Sequence, residues 1–98
     1  MKSPLRPTPE AAEMLAIQAL GFIAAEPERL TRFLSMTGIE AADIRTAARE
    51  PRFLAGVLEH MLGEESLLLA FAANAGIDPA DVAHARSALG GQQEPNMP

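Results

Sequence analysis

Residues 20–47, LGFIAAEPERLTRFLSMTGIEAADIRTA, lie over residues 58–85, LEHMLGEESLLLAFAANAGIDPADVAHA, when the chain is shifted by 38 positions. Leu20 meets Leu58, Glu26 meets Glu64, Leu30 meets Leu68 and Phe33 meets Phe71. Gly38-Ile39 then meets Gly76-Ile77, Ala42-Asp43 meets Ala80-Asp81, Ile44 meets Val82 and Ala47 meets Ala85. The spacing has a mechanical reading. A glycine accepts the positive φ that stops one helix. The isoleucine after it precedes the cap of the next helix, and Ile44 or Val82 stands where a hydrophobic staple packs back onto it. The chain therefore reads as two similar helix-turn-helix corners. Duplicated ancestry and shared turn physics both account for the match. Two copies are too few for a solenoid, so a compact bundle is expected.

Working outward from the corners, every segment reads as helix. Thr8 caps a first helix opened by Pro9 and running to about Ala25. Pro27 opens a second that ends at Gly38, and residues 41–49 form a short third. Pro51 opens a fourth ending near Gly63, and Glu64-Glu65 start a fifth ending at Gly76. Asp78 caps a sixth that Gly90-Gly91 stops. Alanine, leucine, glutamate and arginine dominate, β-branched runs are absent, and no strand pattern survives. The expected fold is an all-α, compact bundle of five to six short helices. Residues 8–89 form one domain between loose tails at 1–7 and 90–98.

Successive helical residues turn about 100° around the axis, which separates the faces. Ala12, Leu15, Ala16, Ala19, Leu20, Phe22 and Ile23 share an arc of the first helix. Phe53, Leu54, Val57, Leu58, Met61 and Leu62 share one of the fourth. The fifth, from Glu64 to Asn74, is apolar nearly all round, which places it in the middle of the bundle with helices one, four and six around it. Leu68 and Phe71, with their counterparts Leu30 and Phe33, are then expected to be almost fully buried.

The 98 residues are 48% hydrophobic and 21% charged, a globular balance for a single small domain. The absence of cysteine removes disulfides, thiolate nucleophiles and cysteine-ligated metals. No apolar run reaches the roughly 18 residues of a membrane span, and Met1–Pro9 has no signal-peptide core, so a soluble cytoplasmic protein is expected. The net charge of −5 is carried by residues 53–98, where six acids face only Arg86. That half is either a solvated acidic surface or a docking face for a basic partner. Nucleic acid is disfavoured, because phosphate binding needs a basic footprint.

Four constellations could carry function. Arg29, Arg32, Arg45, Arg49 and Arg52 cluster around the second and third helices, with the turn layout of a DNA-reading motif and with Arg45 and Arg49 one helical turn apart. Glu26, Glu28, Glu40, Asp43 and Glu50 offset that charge, so an anion contact is the secondary reading. His60 and Glu64 stand one turn apart, but zinc needs three or four convergent ligands, and a boundary histidine is the better reading. No serine lies in a nucleophile elbow and no glycine-rich loop cradles phosphate, so neither an enzyme nor a bound metal or cofactor is expected. Last, Met14, Ile17 and Gly21 lie on the otherwise polar side of the first helix, and Met36 sits similarly on the second. Either a wider core covers this strip or it contacts a partner or a second copy.

The runs Ala16-Ile17-Gln18-Ala19-Leu20-Gly21-Phe22-Ile23 and Pro27-Glu28-Arg29-Leu30-x2-Phe33-Leu34-x2-Thr37-Gly38-Ile39 carry a family resemblance. So do Phe53-Leu54-x2-Val57-Leu58, Glu64-Glu65-x-Leu67-Leu68-x2-Phe71 and Asp78-Pro79. Over about residues 12–90 the chain resembles a family of short all-helical proteins of unknown function, found chiefly in α-proteobacteria. The resemblance implies a single cytoplasmic helical domain and transfers no catalytic residue. The expected function is a non-enzymatic protein-interaction module, contacting an unidentified protein or forming a weak homodimer. A weak DNA or anionic-ligand binder using the arginine-rich corner is the alternative.

Overall fold

A computed structural model describes residues 8–90. They form six α-helices: α1 (Pro9–Ala24), α2 (Pro27–Thr37), α3 (Ile44–Ala47), α4 (Pro51–Leu62), α5 (Glu65–Ala75) and α6 (Pro79–Gly90). A 3₁₀ turn, Ala41–Asp43, leads into α3. The all-α bundle is as the sequence reads. The expected tails lie outside the described residues, except Gly90, which closes α6.

The boundaries follow local chemistry. Thr8 Oγ1 accepts from the Ala11 N–H at 3.1 Å, and Pro9 fills the first turn, where no donor is missed. Asp78 Oδ1 accepts from the Ala80 N–H at 2.9 Å while Asp81 Oδ2 accepts from the Asp78 N–H, a reciprocal cap on α6. Both turn glycines adopt the left-handed region, Gly38 at φ 75° and Gly76 at φ 71°. The two stops differ in one hydrogen bond. The Gly38 N–H donates to the Leu34 carbonyl, and the following Ile39 N–H goes to Thr37 Oγ1. At the second corner both the Gly76 and Ile77 N–H groups donate to the Ala72 carbonyl.

The repeat extends into the core. Ala16, Ala19, Leu20 and Ile23 of α1 are buried, and so are their counterparts Leu54, Val57, Leu58 and Met61 of α4. One ring from the second helix of each copy then reaches the first helix of the other. The buried Phe33 ring of α2 lies 5.1 Å from the His60 ring of α4, and the buried Phe71 ring of α5 lies 5.5 Å from the Phe22 ring of α1. His60 occupies in its copy the position that Phe22 holds in the other. The two halves thus exchange equivalent contacts, as a pseudo-two-fold arrangement requires.

The copies part at their third helices. Pro51 stands where the second copy has Leu89. A proline disfavours helical geometry in the residue before it, and Glu50 is accordingly extended at φ −96° and ψ 123°. α3 must therefore stop after a single turn, whereas α6 continues and buries Val82, Ala85 and Leu89.

α5 is not the central helix. α1, α4 and α6 pack mutually and form the middle of the bundle, with α5 at its edge. α5 buries Leu67, Phe71 and Ala72 but leaves Leu69, Ala70 and Ala73 exposed. The reason is volume. Ala12, Ala16, Ala19 and Ala85 let α1 and α6 approach closely, while a run of three leucines fills too much space for that position. Phe33 and Phe71 are buried as expected; Leu30 and Leu68 are only half-buried, because each faces the margin between its helix and the trio.

Truncating the anchoring ring should separate the two faces of α5. Phe71→Ala is expected to cost about 3–5 kcal/mol, while Leu69→Ala stays within about 0.5 kcal/mol. Guanidinium unfolding of both variants measures the difference, and similar losses would contradict the edge placement of α5.

Candidate functional site

α1 carries hydrophobic residues on two faces. The side facing the bundle presents Ala12, Ala16, Ala19, Leu20 and Ile23, all buried. The side facing away presents Met14 at 67% exposure and Ile17 at 50%. Close helix packing explains the alanines, since small side chains allow the backbones of α4 and α6 to come near. It does not explain the large outward residues. Leaving a side chain of this size in water forgoes about 1.5–3 kcal/mol relative to burying it. Gly21 continues the strip one turn further, and nothing stands within 4 Å of where its Cβ would be. Among the described residues no element covers the strip.

Met36 does not join it. This side chain, 67% exposed, lies on a separate open cleft of about 600 Å³ between α2 and α4, whose lining includes Arg32, Thr37, Gly56, His60 and Glu64 but no residue of the α1 strip. The cleft was not apparent from the sequence. Its one signal is His60, a polar ring where the other copy has Phe22. Burial holds the His60 imidazole below its ordinary value of 6.5. Glu64 pulls it back up and Arg32 pushes it further down. Arg32 Nε meets Glu64 Oε2 at 2.8 Å across the cleft, tying α2 to the start of α5.

Of the five arginines of the expected anion contact, two are engaged with other groups. Arg29 lies 4.2 Å over the Phe22 ring, and its Nη1 donates to the Phe22 carbonyl at 3.5 Å. Arg32 is held by Glu64. Arg45, Arg49 and Arg52 make no ion pair among the described residues. α3 ends at Ala47, so Arg49 falls beyond the helix and is not stacked one turn above Arg45. A four-residue α3 is also far shorter than a helix laid along a DNA groove.

Among the described residues no polar side chain is buried, no three histidine, aspartate or glutamate residues converge as a metal site, and no helix is long and apolar enough to cross a membrane.

Comparison with known proteins places residues 9–92 on the model of a protein family of unknown function, DUF3572. No curated protein matches, and no solved structure matches.

The His60 environment has a pH consequence with a definite sign. A histidine whose folded-state pKa is lowered binds its proton more readily when unfolded. Its contribution is fully present above about pH 6.5 and is lost as the pH falls through the interval down to the folded pKa. The urea midpoint should therefore fall between about pH 7.5 and 5.5. His60→Phe, which restores the residue of the other copy, should flatten that slope; an unchanged slope would remove His60 as its source.

Proposed function

The chain belongs to the DUF3572 family, and within it we propose that this protein is a non-enzymatic interaction module that works in the cytoplasm through the outer face of α1. The observation that carries the reading is the exposure of Met14 and Ile17, one turn apart on the outer face of α1. Exposed large hydrophobic residues grouped on one face mark a contact surface. Gly21 supports the same reading, because a glycine on that face lets a second backbone approach.

The alternative is an anion contact through Arg45, Arg49 and Arg52, which make no ion pair among the described residues. These sit around the start of α4, whose first turn has no side-chain cap. It predicts binding that weakens steeply with salt.

Recovering the intact chain at native abundance, in parallel with Ile17→Glu and with the double variant Arg45→Ala and Arg49→Ala, tests both. The expected outcome is a bound protein retained by the arginine variant and lost, by about tenfold or more in affinity, with Ile17→Glu. Binding that instead disappears with the arginine variant, and falls with salt, would replace the module by the anion reading.

A further inference from the structure

We propose that α2 is a proton-operated flap, lifted from α4 when the His60 imidazole takes up a proton. The flap is lightly held. α2 fully buries one side chain, Phe33, where α4 buries Leu54, Val57, Leu58 and Met61. Few buried apolar contacts mark a segment that opens locally, at less cost than unfolding the domain. The tie of α2 across the cleft is the Arg32–Glu64 ion pair, whose arginine is 64% exposed. A pair so open to water holds weakly. Near the start of α2, Arg29 rests on Phe22 of α1, which puts the hinge at that end. The other end is Gly38, in the left-handed region, a turn able to absorb a rotation.

The proton acts on the contacts of α2 with one sign. His60 stands on α4, half-buried, with the Phe33 ring 5.1 Å from its own. Among the described residues no hydrogen bond reaches its ring nitrogens. An imidazolium carries two N–H donors and a charge, and packing against Phe33 withholds water from both. Two charged groups act on it across the cleft. Arg32 of α2 repels the imidazolium, and Glu64, one turn on at the start of α5, attracts it. Glu59, its neighbour on α4, is paired with Arg86 of α6, and α1 contributes no residue to the cleft. α2 thus supplies both the burial and the repulsion, while the attraction comes from the other wall. Lifting α2 relieves the first two and leaves Glu64 free of Arg32 to pair with the imidazolium. A proton held more tightly by the open form favours that form.

The second copy lacks the device. Phe22 stands at the position of His60 and Ala70 at that of Arg32, while Glu26 keeps the position of Glu64. The same corner therefore forms with neither the histidine nor the arginine, and the fold itself does not call for them.

Native-state amide hydrogen exchange on the intact chain at about pH 7.5 and 5.5, corrected for the intrinsic pH dependence of exchange, tests the flap. At both pH values the α2 amides should be less protected than those of α4 and α6, because they exchange through an opening of α2 alone. Between about pH 7.5 and 5.5 the α2 protection should fall by about threefold. His60→Phe should hold it level, and His60→Gln is a second control that carries no titrating ring. If α2 shares the protection of α4 and α6, it opens only when the whole domain unfolds and there is no flap. An α2 protection that stays level in the wild-type chain, or that falls equally in the His60 variants, would overturn the proton as its trigger.

Discussion

The closeness of α1 to its neighbours sets the rest of the architecture. Ala12, Ala16 and Ala19 offer one methyl group each to the bundle, so α4 and α6 can close against the α1 backbone. Protein interiors are packed to near-crystalline density, and a seam of alanines can be filled only by helices that come very near. Bulk is supplied by Leu20 and Ile23 towards the end of α1 and by Leu54, Val57, Leu58 and Met61 of α4. The same demand sends α5 to the edge. Its leucines are useful where one ring and one face must be anchored, and they would be an overpacked centre.

The exchanged ring contacts hold the outer helices onto this trio. Phe33 reaches across to His60 and Phe53, while Phe71 reaches back to Phe22. Each half thereby completes the packing of the other, and neither corner is a free-standing unit. The exchange is also uneven. Where the Phe22–Phe71 pair is purely apolar, its counterpart contains an imidazole, and the Arg32–Glu64 pair lies beside it. The cleft between α2 and α4 is the place where the pseudo-symmetry has been relaxed.

Much of the helix order was legible in the sequence because its signals are local. Thr8, Pro9, Pro27, Pro51 and Asp78 act on neighbouring backbone groups, and the two glycines need only a permissive φ. The position of α5 was not legible, because a helical wheel scores hydrophobicity and ignores volume. α3 is shorter than the helix expected over 41–49 for a different reason: Pro51 holds Glu50 extended, and the helix ends before it. Of the candidate site, the α1 strip could be read from periodicity, whereas the contacts of Arg29 and Arg32 could not. Arg29 and Arg32 are held by Phe22 and by Glu64, and those contacts exist only once the helices have packed.

The repeat supplies an internal comparison for the α1 face. The positions of α4 equivalent to Met14, Ile17 and Gly21 are Arg52, Ala55 and Glu59. Arg52 and Glu59 are exposed, and Glu59 accepts from Arg86 at 2.8 Å. The same location in the same local fold is thus served by two charged residues and an alanine. The scaffold itself places no demand for large hydrophobic side chains there. Their presence on α1 and absence from α4 is therefore a property of the surface, separate from the packing that both helices share. It is this independence from the shared packing that makes the α1 face a candidate contact surface.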